Sequence, residues 1–451
     1  MMPSGTSKHI SRMGKLKLMA VAIPNRSTAV SPADSSSYAG PLMVVTTLFF
    51  MWGFLTCLND ILVPHLKSIF DLNYTKVMLI QFAFFGAYFL FSIPSAKIID
   101  WIGYQRSMVV GLLTMGVGAF LFVPAASVPS YPLFLGALIV LAAGITCLQV
   151  AANPYVTVLG KPETASSRLN LTQAFNSLGT FLAPFFGAAF ILSAAPKAID
   201  DMRALAPDAL QAYRLHEAAS VKTPYVGLGI ALVLLAIAIG SFKLPKIPHA
   251  QHQIGEKVND SIWKHPNLIL GAIGIFVYVG AEVSIGSFLV NYFSQPEIGG
   301  LTEKVAASFV AFYWGGAMVG RFIGSALLQK MNTGRLLGIC AICAAALVAV
   351  SMLTTGHFAM YSIILVGFFN SIMFPSIFTL GVAELGPLTG DGSGIMIMAI
   401  VGGAIVPEVQ GWIADHIGIH HAFFLPVICY LYILFFALSG SKPNSLRYVK
   451  G

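Results

Sequence analysis

The residues with chemical potential in this sequence are polar groups set inside long apolar runs. Asp60 sits in FFMWGFLTCLNDILVPHL and Glu282 in FVYVGAEVSIGSFLVNY, where Tyr278, Ser284 and Asn291 accompany it. A carboxylate within a bilayer costs about 2.5–3.5 kcal/mol on insertion scales and normally faces a cavity or a partner. Asp60 and Glu282 are therefore candidates for coupling a cation to a conformational change, and Asp60 is also the candidate sodium ligand, a hard oxygen donor for a hard cation. The alternative for Asp60 is snorkelling to the outer surface, because it lies in the outer part of its apolar run. Gln149 and Asn153 are i,i+4 neighbours on one helix face. With Asn176 and Asn370 they offer both donors and acceptors, which suits a hydroxylated solute such as a sugar. The same amides could instead hold helices together at roughly 1 kcal/mol each. Tyr88, Tyr278, Tyr292, Tyr313 and Trp314 could stack on a pyranose face, or could belong to an interfacial belt or the packed core. Glu408 is either a third acid inside the membrane or a residue of the outer rim.

Other chemistry is missing its parts. The chain has no Gly-x4-Gly-Lys-Ser/Thr phosphate loop, no His-Glu-x-x-His and no Gly-x-Ser-x-Gly elbow, so it is not read as an enzyme and no bound cofactor is expected. His416, His420 and His421 fit a polar loop better than a metal site. Cys57, Cys147, Cys340, Cys343 and Cys429 all fall in apolar stretches, which suits helix packing and neither a disulfide framework nor a zinc ribbon.

The elements that must position these residues follow from composition. Of the 451 residues, 57% are hydrophobic and 10% charged, with a mean hydropathy of +0.79, whereas globular chains carry about 25% charged residues. This is an all-α membrane protein. A span needs about 20 apolar residues, and twelve stretches qualify: 41–65, 77–99, 106–125, 131–158, 169–194, 223–242, 268–292, 306–329, 335–355, 359–384, 393–414 and 421–439. They divide into a tail (1–39), a six-helix bundle (40–242), a polar interdomain loop (243–266), a second six-helix bundle (267–440) and a short C-terminal tail (441–451). The Ser-rich N-terminal tail carries Lys8, Arg12, Lys15, Lys17 and Arg26 without an apolar core of its own, which reads as disordered and cytoplasmic and not as a signal peptide. Most of the remaining Lys and Arg fall on the same side: Lys97 and Arg106, Lys161 and Arg168, the interdomain loop, Arg321, Lys330 and Arg335, and the C-terminus. Basic residues stay on the cytoplasmic side, so both termini are expected there. The net charge of +8 thus reflects topology, and no nucleic-acid partner is implied.

The halves repeat each other. Gln149-x4-Pro154 with Leu159-Gly160 resembles Asn370-x4-Pro375 with Leu380-Gly381 at an offset of 221 residues, and Thr157 matches Thr379 at 222. Gly179 and Pro184 recur as Gly402 and Pro407 at 223, and Asp60 meets Glu282 at 222. Parallel six-span repeats with a solute site between them at mid-membrane are the layout of major facilitator transporters. The loop between spans 2 and 3 carries Asp100-x-x-Gly103-x-x-Arg106, the core of that superfamily's loop signature, with Ala96 in place of its leading Gly. Gly103 permits a tight turn, and Asp100 can cap a helix end or pair with a basic residue, so these three residues are read as a gate.

Segment by segment, CLNDILVPHLKSIF, CLQVAANPYVTVLG, RLNLTQAFNSLGT, YVGAEVSIGSFLV and FFNSIMFPSIFTLG resemble the bacterial sugar-symporter family of the major facilitator superfamily that includes glucose/galactose transporters and fucose permease. The similarity runs from Leu42 to Leu438. It implies the major facilitator fold of twelve helices in two bundles, alternating access, and inward symport of a neutral monosaccharide in the bacterial inner membrane; a monomer is the expected form. By resemblance Asp60 matches the family's span 1 acid and Asn176 a polar sugar-site residue, while Gln149 departs from fucose permease, which has a glutamate there. Since Gln149 cannot titrate, Asp60 lacks the second carboxylate of a two-acid proton relay, and sodium is favoured over a proton. Glucose, galactose or mannose is the favoured sugar; fucose or N-acetylglucosamine with a proton is the alternative, and a passive uniporter or sugar-sensing receptor is the rival class.

Overall fold

The computed structural model describes residues 38–443 apart from 71–73, 129, 191–204, 221 and 248–259. The N-terminal tail, half of the interdomain loop and the end of the C-terminal tail lie outside them. The first half comprises α1 (Ala39–Phe70), α2 (Tyr74–Ser127), α3 (Tyr131–Val158), α4 (Ala165–Phe190), a short polar helix α5 (Pro207–Ser220) and α6 (Lys222–Ser241). The second half comprises α7 (Pro266–Phe293), α8 (Glu303–Leu327), α9 (Thr333–Leu353), α10 (Gly356–Asn370), α11 (Met373–Gly381), α12 (Thr389–Met398), α13 (Gly402–Ile417), α14 (Ile419–Ala422) and α15 (Phe424–Phe435). Among the described residues there is no strand.

Nine described helical segments are long and apolar enough to cross a membrane, with the double-length α2 counted once. Gly103, at φ 82° and ψ 167°, breaks α2 into spans 2 and 3. With α1 and α4 added, every expected span has its helix. Spans 10, 11 and 12 are each built from consecutive helices, α10–α11, α12–α13 and α14–α15. Phe82, Leu90, Phe185, Leu234, Phe312 and Leu431 are all more than half exposed, a surface that hydrocarbon covers and water would not tolerate.

The internal repeat is visible in the packing. In the first half α1 crosses α4 where Gly179 lies against the Phe50 carbonyl, with Gly53 against Asn176. In the second half α7 crosses α13 where Gly402 lies against the Phe276 carbonyl, with Gly280 against Val406. The glycines that matched in sequence thus do the same work, letting two backbones approach where apolar lipid gives helices no hydrophobic reason to associate. The largest interface within either half, α2 on α3, uses the same device. A Cβ on Gly144 would lie 2.7 Å from Met115 Cγ and 2.8 Å from the Gly111 carbonyl oxygen. Gly144→Val should therefore cost about 1–3 kcal/mol through overpacking, seen as a lower unfolding temperature of the detergent-solubilised protein.

Two repeat-matched prolines shape the backbone near the polar residues. A proline has no N–H to give the carbonyl four residues before it, so Pro154 releases Val150 O in α3 and Pro375 releases Ser371 O at the junction of α10 and α11. Thr157 and Thr379 donate back to carbonyls of the same turns, Thr157 to Pro154 O at 2.7 Å and Thr379 to Pro375 O at 2.9 Å. Nearby, Arg168 of α4 donates to Val156 O (3.3 Å) and Thr157 O (2.9 Å), carbonyls that the end of α3 leaves open, and to Lys161 O (2.8 Å) in the loop that follows.

Candidate functional site

In the first half, the i,i+4 spacing of Gln149 and Asn153 puts both amides on one buried face of α3. Gln149 Nε2 donates to Tyr88 Oη of α2 at 2.6 Å, and Trp52 of α1 also bonds Tyr88. Asn153 Oδ1 receives Gln173 Nε2 of α4 at 3.5 Å, the limit of a hydrogen bond. Gln149 Oε1 and Asn153 Nδ2 are buried with no protein partner, leaving one acceptor and one donor a turn apart. Native structures rarely leave such groups without a use. Asn176 is placed differently. Its Nδ2 donates to Phe49 O at 2.9 Å, so this amide's donor holds α4 on α1.

In the second half, Tyr278, Glu282 and Asn370 come together although 92 residues separate Tyr278 from Asn370. The Tyr278 hydroxyl lies 2.8 Å from Glu282 Oε1 and 3.1 Å from the Asn370 carbonyl, two acceptors for one proton. Asn370 Nδ2 donates to Tyr313 Oη at 2.8 Å, and Tyr313 donates to Glu282 O at 3.3 Å. Tyr430 of α15 packs beside Asn370. Neither its hydroxyl nor Asn370 Oδ1 makes a well-formed hydrogen bond, and the Ser284 hydroxyl on α7 is also buried without one. Trp314 meets Tyr313 edge to face at 5.1 Å.

Other sequence candidates stand apart. The Tyr292 hydroxyl bonds Ser351 and its ring packs edge-on against Phe423, so it belongs to the core. Glu408 is exposed on α13. His416 and His420 bond the backbone at Trp412 and Met352, and among the described residues no group of three or more His, Cys, Asp or Glu could hold a metal. Asp60 lies within α1, and its side chain falls outside what the structure describes.

Between the halves stands Arg321, which sequence reading groups with the basic residues of the cytoplasmic side and does not name as a site residue; it lies inside α8, within the expected span 306–329. Its Nη1 reaches across to the Ser177 hydroxyl and to Gln173 O (3.4 Å) on α4, while its Nε donates to Ser371 O (3.3 Å), the carbonyl released by Pro375. Gln173 is also the residue that touches Asn153, so a chain of polar groups runs from the α3 amides through Arg321 to the Tyr278–Glu282–Asn370 cluster. The signal for Arg321 was available, a fixed positive charge inside a span, but its proximity to the span's end disguised it. Tyr313, a candidate aromatic residue by sequence, joins the second cluster, whereas Gln173 and Tyr430 complete the clusters and carry no periodicity that marks them out.

The halves are latched together at the end that bears Asp100. Along α4 and α8, Ser167 and Ser325 each donate to the other's carbonyl (2.7 and 3.3 Å) and Asn170 Nδ2 donates to Arg321 O (2.7 Å), while the hydroxyls of Ser166 on α4 and Thr379 on α11 bond at 2.6 Å. Between α2 and α12, Lys97 pairs with Asp391 at 2.7 Å, and between α12 and α3 the Ser393 hydroxyl donates at 2.8 Å to Val150 O, the carbonyl released by Pro154. Pro154 therefore supplies the acceptor for a bond between the halves, and Pro375 the acceptor that holds Arg321 within the second half.

This architecture has known counterparts. The Major Facilitator Superfamily profile matches residues 43–407. The chain belongs to the major facilitator superfamily. Among relatives, the glucose/galactose transporter of Brucella abortus biovar 1 (strain 9-941) is 54% identical over 425 residues, covering 94% of this chain and all of that one. The L-fucose-proton symporter of Escherichia coli K12 is 36% identical over 416 residues, covering 91% of this chain and 95% of that one. Among solved structures, the superfamily transporter FucP in the outward conformation superposes with a TM-score of 0.82 at 34% identity, covering 90% of this chain and all of that one.

Within the superfamily frame, the loop residues read as a gate acquire positions. Gly103 takes the left-handed φ that its turn needs. Asp100 lies 3.4 Å from Lys97 Nζ and close to Gly390, in the first turn of α12, where a negative charge is favoured by the helix dipole. Arg106 is exposed. Because the side chains of Lys97 and Asp391 are 49% and 21% exposed, their pair contributes only about 0–1 kcal/mol.

Proposed function

We propose that this membrane transporter imports a monosaccharide of the glucose/galactose type, coupled to a cation, by alternating access between its two halves. The observation that carries the reading is the pair of buried polar clusters on opposite sides of the division between halves, amides on α3 and a tyrosine–carboxylate–amide group on α7, α8 and α10. Each cluster holds unpaired donors or acceptors of the kind sugar hydroxyls match. The naming of the 54% identical Brucella relative as a glucose/galactose transporter supports a hexose. The proposed site residues are Gln149, Asn153, Tyr278, Glu282 and Asn370, with Asn176 contributing from the α1–α4 contact and Asp60 and Glu282 as the ion-coupling acids. By the positive-inside assignment the latched end is cytoplasmic, both termini lie there, and the described state faces outward.

Sodium is the favoured coupling ion because Gln149, beside Tyr88, supplies oxygen and no proton. A proton is the second reading, favoured by the Tyr278–Glu282 contact and by the naming of the E. coli relative as a proton symporter. One positive charge moving inward through 100 mV supplies about 2.3 kcal/mol, and each tenfold gradient requires about 1.4 kcal/mol, so roughly fiftyfold accumulation is available. Proteoliposomes loaded for counterflow with labelled hexoses and amino sugars should show glucose, galactose or mannose exchanging fastest, and an imposed sodium gradient should drive accumulation at fixed pH. Accumulation that ignores sodium and collapses with a protonophore would transfer the coupling to a proton. Equilibration under every ion gradient would leave a uniporter.

A further inference from the structure

We propose that Arg321 is a positioning residue that ties the candidate site to the latched end of the molecule, exchanging its α4 acceptors for the Glu282 carboxylate when that end opens. The inference rests on the alternating-access reading above. The guanidinium is held by three acceptors on two sides of the division: the Ser177 hydroxyl and Gln173 O on α4, and Ser371 O in its own half. Ser371 O is available only because Pro375 cannot donate to it, and Ser371 directly follows Asn370, whose carbonyl and amide bond Tyr278 and Tyr313. One side chain thus grips both the junction of the halves and the break in the chain that shapes the site.

Opening that end must separate α4 from α8, because Ser167, Ser325 and Asn170 join them there. Separation removes Ser177 and Gln173 from the guanidinium. A guanidinium cannot shed its proton, and with only Ser371 O of its three acceptors left to it a partly buried charge is under-satisfied, which is disfavoured. Among the described residues no carboxylate lies within ion-pair distance of it in the latched state. Glu282 is near enough to attract it electrostatically and sits on the adjacent helix of the same half, so it stays with Arg321 when the halves part. The other charged link across the division, Lys97 to Asp391, touches no site residue and has water at hand to replace its bond.

The test reads accessibility of the latched end in the full chain, without sugar. In a background whose five cysteines are replaced by serine, a reporter cysteine at Ser325, buried here at the latch, is labelled with a maleimide. Arg321→Ala should raise the labelling rate about fivefold or more by shifting the equilibrium toward the open end. Glu282→Gln, which removes the alternative partner, should lower it, and the double variant should behave like Arg321→Ala. Arg321→Lys, which keeps the charge, should restore part of the latch. If Arg321→Ala fails to fold, Ser177→Ala, which removes only the hydroxyl acceptor, should still give about a twofold rise. An unchanged or slower rate in Arg321→Ala or Ser177→Ala, or a faster one in Glu282→Gln, would overturn the exchange. Because no sugar is present, an error in the proposed substrate leaves this measurement untouched, whereas normal hexose counterflow with unchanged labelling rates would sink the latch alone.

Discussion

Replacing Asp60 by asparagine should abolish accumulation of sugar against its gradient while sparing exchange of labelled for unlabelled sugar. The argument is electrostatic. Asp60 is an acid placed within α1, where keeping a carboxylate in an apolar span costs about 2.5–3.5 kcal/mol; a cation bound beside it, or a proton on it, offsets that cost. Asparagine keeps the shape and the carbonyl oxygen but not the charge, so the occupied and empty carriers no longer differ in their need for the ion. The sugar contacts assigned to α3, α7 and α10 remain, and exchange needs only those. Uptake in sodium- and proton-loaded vesicles, measured beside counterflow in the same preparation, separates the two quantities. A variant that still concentrates sugar as the parent does would return Asp60 to the snorkelling reading.

Gln149→Ala should weaken apparent sugar affinity about five- to a hundredfold, the effect of leaving about 1–3 kcal/mol of buried hydrogen bonding unmet. Its Nε2 bonds Tyr88 Oη at 2.6 Å while its Oε1 has no protein partner. The amide is thus held by one atom and offers the other. Removing it costs twice, since a sugar hydroxyl loses an acceptor and the Tyr88 hydroxyl loses the amide donor that helps place it. Binding of labelled hexose to the purified variant, with a thermal unfolding measurement as the control for folding, reads the first loss apart from the second. A well-folded Gln149→Ala protein with unaltered affinity would make this residue part of helix packing. Asn176 shows that such an outcome is physically ordinary, because its donor already serves the α1–α4 contact.

Much of the architecture was legible because it depends on local chemistry. Each span is a run of apolar residues whose length answers to bilayer thickness, and helix is the open-chain structure that satisfies its own backbone there. The break at Gly103 could be expected from a glycine in a short loop, and its positive φ bears this out. The repeat could be expected from glycines and prolines at one offset, since each marks a place where backbones must touch or a ladder must break. Gly179 and Gly402 are those close approaches, and Pro154 and Pro375 those breaks.

The site was legible only as an inventory. Gln149 and Asn153 belong together by helical spacing, and so do Tyr278 and Glu282, because a helix brings i and i+4 to one face. That Asn370 joins Tyr278, that Asn176 turns toward Phe49, and that Arg321 leaves the expected loop charges to bridge Gln173 and Ser371 are contacts between residues 50 to 148 positions apart. Residue type supplies the capacity to bond, but capacity is shared by every amide and hydroxyl in the chain. Residue order thus sets the medium, the helices, their twofold repetition and the inventory of residues able to bond a sugar or an ion. Tertiary structure alone decided which of those polar groups are consumed in joining helices and which are left over for a solute, because in a low-dielectric interior each buried donor takes whichever acceptor the packing brings within about 3 Å.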